Sequence, residues 1–160
     1  MLTCRIVCVG KLKEEYWRQA CAEYEKRLRP FCKLSVVQIE EERTPEKPSP
    51  AQIDAVIEAE GRRILQAIPA GSTVTALCIE GKGMTSERLS QQIEEWKTAG
   101  RADLTFVIGG SWGLSEAVKR EAALRLSMSD MTFPHQLARV MVLEQLYRAA
   151  QIASGGKYHK

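Results

Sequence analysis

Apolar segments of strand length alternate with helix-like segments along almost the whole chain, and this alternation limits the fold more than any other feature. The segments TCRIVCVG and DLTFVIGG are rich in β-branched residues and end in glycine, which is typical of buried strands. Strands that alternate with helices favour a mostly parallel sheet covered on both faces. The sequence therefore predicts an α/β fold, with strands at 3–10, 33–40, 72–81, 103–110 and 124–129 and helices at 14–30, 49–68, 85–99, 114–123 and 134–153.

The size and composition of the chain predict one domain, spanning residues 1–160. Hydrophobic residues make up 44% of the sequence and charged residues 27%, as in ordinary water-soluble domains. No apolar run reaches membrane-spanning length, and the opening MLTCRIVCVG is unlike a signal peptide. We expect a cytoplasmic protein that does not contact membranes.

The cysteines argue against a disulfide framework and against a metal site. The chain has 5 of them, an odd number, and no C-x-x-C spacing. We therefore expect them to be small buried apolar residues, and we expect no metal.

The positive charge of the chain is concentrated at its end. The net charge is +3, and residues 131–160 hold 4 Lys and Arg against 1 Glu, so the whole excess lies there. A polyanion is the natural partner for such a segment, and a solvated tail without a partner is the alternative.

The segment FVIGGSWGLS places a glycine loop between a predicted strand and a predicted helix. Gly110 and Gly113 match the last two glycines of a dinucleotide-binding fingerprint, and Asp130 follows at a suitable distance. Ile108 occupies the position of the first glycine, however, and too few strands follow to build a second mononucleotide half. Nicotinamide or flavin binding is therefore disfavoured. Two explanations of the loop stay open, namely close approach of a flat ligand to the backbone and a tight turn that packs helix on strand.

The predicted last helix is apolar almost all the way round at residues 140–143. Such a helix has to be covered on every side, and a domain of this size can hardly do that alone. We therefore expect a homodimer. Glu144 and Arg148 have the spacing of a helical ion pair, while His135 and Arg139 lie on one face near the helix start.

The tail KYHK interleaves cations with aromatic groups, a composition that suits phosphate contact and base stacking. A frayed terminus is the alternative for the tail. For Arg139, the alternative to a functional role is a buried salt bridge.

The segments MTFPHQLARVMVLEQLYRAAQI, YHK, FVIGGSWGLS and VGKLKEEYWRQACAEYEKRL together resemble the RlmH family of SPOUT methyltransferases over essentially the whole chain. The resemblance implies a homodimer with a trefoil knot near the carboxyl end. It also implies S-adenosylmethionine as methyl donor and methylation of N3 of one pseudouridine in 23S rRNA, with RNA rather than DNA as partner. The sequence departs from the family at Lys157, where relatives carry proline or a small residue.

The resemblance also implies where the cofactor and the RNA are bound. The methylated nitrogen must lose a proton, and Arg139, His135 and His159 are the candidates for stabilising the anion or accepting that proton. Tyr158, Lys160 and Arg139 are the candidates for holding the substrate, with Tyr158 and His159 on the flipped-out base. The implied cofactor contacts are Leu77, Gly109, Met128, Ser129, Asp130, Met131, Thr132 and Phe133.

A net charge of only +3 predicts weak binding to free RNA, so we expect the assembled ribosome to be the substrate. Two alternatives stay open beside this one. The first is a methyltransferase of the same architecture that acts on another RNA, and the second is a ribosome-associated binding factor without catalysis.

Overall fold

A computed structural model describes residues 1–160 and shows one five-stranded sheet in which every pair of neighbouring strands is parallel. The predicted fold class is thereby confirmed, while the knot stays a prediction. The strand order is β2-β1-β4-β3-β5. The elements are β1 (Leu2–Val9), α1 (Glu15–Leu28), β2 (Cys32–Ile39), α2 (Pro50–Ala67), β3 (Thr73–Gly83), α3 (Ser86–Thr98), β4 (Asp103–Ile108), α4 (Glu116–Glu121), β5 (Leu124–Ser127) and α5 (His135–Ala153).

Helices cover the sheet on both faces, and the side chains of β1 show how. Cys4, Ile6 and Cys8 pack into a large apolar cluster with α1, α3 and α5. Val7 and Val9 pack into a smaller cluster with α2 and α4 on the other face. Successive side chains of a strand point to opposite faces, so a strand apolar at nearly every position has to be covered on both.

The predicted start of α2 is confirmed in detail. The Ser49 hydroxyl accepts a hydrogen bond from the Gln52 N–H, the Gln52 side chain accepts one from the Ser49 N–H, and Pro50 is the first helical residue. This capping box satisfies backbone groups that the first helical turn leaves without partners.

The predicted helix 114–123 was wrong at both ends, because α4 spans only Glu116–Glu121. Ser115 adopts an extended backbone and its hydroxyl accepts a hydrogen bond from the Val118 N–H, so the helix begins after it. Leu114 then belongs to the loop and is buried in the smaller apolar cluster. Ala122 is again extended and leads into β5.

The end of β3 bulges away from its neighbour, which the sequence did not predict. The pairing with β5 breaks off after Leu77 and resumes at Lys82. A Cβ atom on Gly81 would lie 2.7 Å from the Arg125 carbonyl oxygen, so glycine is required where the bulge touches β5.

The last helix packs against α1 and α3, and the predicted Glu144–Arg148 pair is confirmed. Arg139, Val142 and Leu146 are buried, His135 is half-buried, and Arg148 pairs with Glu144. Four of the five cysteines are buried and all five are free thiols, as expected, while Cys78 is half-buried. None of the helices has the length and hydropathy needed to cross a membrane.

Candidate functional site

A cavity of about 770 Å³ opens at the carboxyl ends of β3, β4 and β5. Ligands of open parallel sheets bind beyond this edge, and the volume suits a ligand of nucleoside size. The lining includes all of the predicted cofactor contacts except one: Leu77, Gly109, Met128, Ser129, Met131, Thr132 and Phe133. The exception is Asp130, which is exposed and lies outside the lining.

The loop formed by residues 128–133 offers free backbone groups beside apolar side chains. Within it, only the Ser129 carbonyl and the Met131 N–H have hydrogen-bond partners in the chain, and both partners are serine hydroxyls. Leu77, Ile108 and Phe133 contribute apolar surface to the cavity. A flat heteroaromatic ring needs this combination, since its faces are apolar and its edge carries donors and acceptors. The cavity therefore fits the nucleoside part of S-adenosylmethionine.

The glycine loop is a tight turn. The Gly113 N–H donates to the Gly110 carbonyl at 3.1 Å, and Gly113 has a φ of 89°, which favours glycine. A Cβ on Gly109 would lie 3.0 Å from the Gly113 backbone, and one on Gly110 would lie 3.1 Å from the Glu60 carboxylate. The space beside both glycines is therefore taken by the protein itself. The structure supports the tight-turn explanation. Gly109, Gly110 and Gly113 also line the cavity, so close approach of a ligand to their backbone stays a prediction.

The buried Glu60 carboxylate lies beside Gly110 of this turn, and the sequence analysis did not identify Glu60. The side chain is 2% exposed; one carboxylate oxygen accepts the Glu42 N–H at 3.0 Å, and the other has no partner. Burial raises the pKa of Glu60. The available signal was an acidic residue on the apolar face of α2, one turn after Val56 and one turn before Ile64.

His135 lies at the start of α5 and lines the cavity. Its Nε2 would lie 3.5 Å from a Cβ on Gly10, which has a φ of 89° and directly follows β1. Burial lowers the pKa of His135; the nearby Glu41 carboxylate opposes this shift, and the Arg139 guanidinium adds to it. The imidazole is therefore neutral at physiological pH and able to accept a proton.

Arg139 is buried beneath the site instead of lying on its surface. It is 2% exposed, its Nη2 donates to the Gly10 carbonyl at 3.0 Å, and its Nε has no partner. The alternative of a buried salt bridge was wrong, because the guanidinium has no carboxylate partner in the chain. In this position Arg139 ties α5 to the end of β1, and its predicted contact with RNA phosphate stays a prediction.

The tail is packed rather than frayed. The Tyr158 hydroxyl donates to the Glu144 carboxylate at 3.1 Å, and its ring lies 4.7 Å from that of Tyr147 and 4.8 Å from the Arg148 guanidinium. These contacts combine a charge-assisted hydrogen bond with aromatic and cation–π packing. The alternative of a frayed terminus was therefore wrong for Tyr158.

His159 is held as well, although away from the cavity. Its Nε2 lies 2.7 Å from a Glu87 carboxylate oxygen at the start of α3, and its Nδ1 lies 3.1 Å from an Arg148 nitrogen. Neither Tyr158, His159 nor Lys160 lines the cavity. Within one chain the structure therefore brings His135 to the cavity but leaves the three predicted tail residues elsewhere.

Exposed apolar side chains surround the mouth of the cavity. Ile79, Trp112 and Met131 line it and are 55%, 42% and 73% exposed. The other large hydrophobic side chains with such exposure are Met1 and Tyr16, both outside the lining. Clustered exposed apolar groups indicate a contact surface, and we call these three residues the apolar rim.

No group of three or more His, Cys, Asp or Glu side chains is arranged to hold a metal ion.

One comparison with known proteins bears on the whole chain. A family model described as "Predicted SPOUT methyltransferase" matches residues 2–159.

Proposed function

Because the chain belongs to the SPOUT methyltransferase family, and so to enzymes that methylate RNA with S-adenosylmethionine, we propose that it methylates N3 of a pseudouridine in 23S rRNA within the assembled ribosome. The resemblance of the terminal helix and tail to the RlmH family supports this particular substrate. Binding of a nicotinamide dinucleotide is not supported, because the sheet order β2-β1-β4-β3-β5 contains no second mononucleotide-binding half.

The observation that carries the proposal is the convergence of distant segments on one cavity. Leu77, Gly109 and the residues of the loop 128–133 other than Asp130 come from three separate parts of the sequence and line the same cavity. When bound there, S-adenosylmethionine supplies a methyl group on a sulfonium that leaves as a neutral thioether. The contribution of the protein is to hold this donor and the RNA base in alignment, which is worth several kcal/mol of barrier.

His135 is the best-placed proton acceptor among the three candidates. It lines the cavity, and burial lowers its pKa, so its imidazole is neutral when the base arrives. Arg139 acts behind it by holding the Gly10 carbonyl, which keeps the start of α5 against the end of β1. A base within reach of the departing N3 proton typically contributes a factor of about 10² to 10⁴.

A homodimer would complete the site. The apolar rim leaves three large hydrophobic side chains exposed beside the cavity, which a second copy of the chain would cover. The tail of the same chain is fastened to α5 and α3, so in our proposal the partner's tail approaches the cavity. Lys157 and Lys160 are exposed and would add positive charge for the RNA.

The test uses assembled ribosomes from a strain that lacks the gene. Purified protein and S-adenosylmethionine carrying a labelled methyl group are added, and the rRNA is digested and mapped by mass spectrometry. We expect one methyl group on one pseudouridine, and much weaker labelling of a free stem-loop of the same sequence. Labelling of a different RNA would replace our substrate by another SPOUT substrate. Absence of both labelling and cofactor binding in calorimetry would instead favour the non-catalytic binding factor.

A further inference from the structure

The cavity wall carries one opposed pair of charges. Among the lining residues, Glu80 and Lys119 are the ones with a fixed charge, and the two side chains form an ion pair. The hydrogen bond between them lowers the pKa of Glu80 and raises the pKa of Lys119, so both are charged across the neutral range. The rest of the lining consists of neutral or titratable side chains and backbone.

Both charged groups are held in place by the fold. Glu80 lies in the bulge of β3, whose backbone is pressed against β5 at Gly81. Lys119 lies on α4, and its carbonyl accepts a hydrogen bond from Arg125 Nε at 3.2 Å. The Lys119 side chain is only 14% exposed, so most of it is packed against the protein and its ammonium has little freedom to move away from its ionic partners.

The charge balance of this wall selects the chemistry of its ligand. Lys119 faces two carboxylates, because Glu116 also lies within 3.6 Å of its Nζ. One ammonium beside two carboxylates is a poor site for a phosphate, which would bring further negative charge. Ribose hydroxyls are neutral and need no buried ammonium. A zwitterion, by contrast, adds no net charge and can exchange partners with an existing ion pair.

We propose that Glu80 and Lys119 recognise the amino-acid end of S-adenosylmethionine, with Lys119 binding its carboxylate and Glu80 its ammonium. This inference rests on the proposed function for the identity of the cofactor. The apolar remainder of the cavity and the loop 128–133 hold the nucleoside, and the charged pair separates the complete cofactor from its shortened breakdown products. Glu80 and Lys119 are in this sense specificity residues.

The test compares two ligands that differ only at the end in question. S-adenosylhomocysteine keeps the amino-acid end, whereas 5′-methylthioadenosine keeps the nucleoside and a neutral sulfur but lacks that end. Calorimetry gives the dissociation constants of both for the wild type and for Lys119→Gln and Glu80→Gln. We expect each variant to bind S-adenosylhomocysteine about 10- to 100-fold more weakly, which is the value of a hydrogen bond to a charged group, and to bind 5′-methylthioadenosine within about threefold of wild type.

Glu116→Gln is the matched control, because Glu116 contacts the same ammonium but is 70% exposed and does not line the cavity. It should leave both affinities within about twofold of wild type. An analogue of S-adenosylhomocysteine without its carboxylate tests the assignment of Lys119, since wild type and Lys119→Gln should bind that analogue equally. Lys119→Arg, which keeps the charge, should restore much of the affinity for S-adenosylhomocysteine if the lysine variant is impaired through charge alone.

Equal weakening of both ligands would overturn the inference and show that the pair serves the nucleoside or the fold. Unchanged affinity for S-adenosylhomocysteine in both variants would overturn it as well. If the wild-type protein binds neither ligand, S-adenosylmethionine is not its cofactor, and both the proposed function and this inference are refuted. Circular dichroism and thermal unfolding of each variant show whether the fold is intact.

Discussion

Replacing Gly61 by alanine should destabilise the protein, although the same change stabilises most helices. Gly61 lies inside α2, where alanine is ordinarily better than glycine by about 1 kcal/mol. A Cβ at this position, however, would lie 2.9 Å from the Ser115 Cβ and closer still to the Ser115 Oγ. Ser115 is 2% exposed and caps α4, so neither residue has free space to move into.

The expected size follows from three contributions. Overpacking a tight contact costs about 1–3 kcal/mol, and disturbing the hydrogen bond from the Val118 N–H to the Ser115 hydroxyl costs about 1 kcal/mol. The gain in helix propensity offsets about 1 kcal/mol of this. We therefore expect Gly61→Ala to lower the free energy of unfolding by about 1–3 kcal/mol, or the melting temperature by about 2–4 °C for each kcal/mol.

The assay is urea unfolding followed by circular dichroism, at one fixed protein concentration because the stability of the proposed homodimer would depend on that concentration. Ser115→Gly alone should cost only a few tenths of a kcal/mol, since glycine is an acceptable N-cap. The double variant Gly61→Ala/Ser115→Gly should have a free energy of unfolding about 1–2 kcal/mol higher than that of Gly61→Ala alone, because residues in contact are energetically coupled. Ala55→Gly, at an exposed position of the same helix, measures the propensity contribution by itself. A Gly61→Ala protein more stable than wild type would refute the packing argument.

Three further predictions concern the site. Burial lowers the pKa of His135 below its ordinary 6.5, so the folded state favours the neutral imidazole, and the stability that this contributes is present above pH 6.5 and lost as the pH falls. The acid limb of the pH dependence of kcat should therefore lie below 6.5. His135→Gln should reduce kcat about 100-fold or more. Met131→Glu should convert the proposed homodimer to a monomer in light scattering. Tyr16→Glu, at an exposed hydrophobic residue away from the apolar rim, should not, and a dimeric Met131→Glu protein would contradict the proposed interface. Burial, and after it the contacts with Tyr24 and Glu144, raise the pKa of Tyr158 to about 12, so its hydroxyl stays a donor. Tyr158→Phe should therefore weaken the packing of the tail by about 1 kcal/mol and speed its removal by carboxypeptidase, and an unchanged digestion rate would contradict this.

Most of the fold was predictable because it follows from local patterns. The capping box of Ser49 and Gln52 is a property of four neighbouring residues. The strands are predicted by β-branched runs with apolar residues on both faces. The Glu144–Arg148 pair was predictable for the same reason, since helical spacing alone brings the two side chains together. The resemblance added the cofactor contacts, which no local pattern contains.

What the amino-acid order determined by itself was the list of parts, namely five strands and five helices. Tertiary packing decided what those parts touch. Gly109 and Gly110 are glycines because the turn and Glu60 fill the space beside them, and Arg139 is buried without an ionic partner. Glu80 and Lys119, distant in sequence, form one charged wall. Such contacts depend on how helices and strands pack across the whole sheet, and no window of neighbouring residues contains that information.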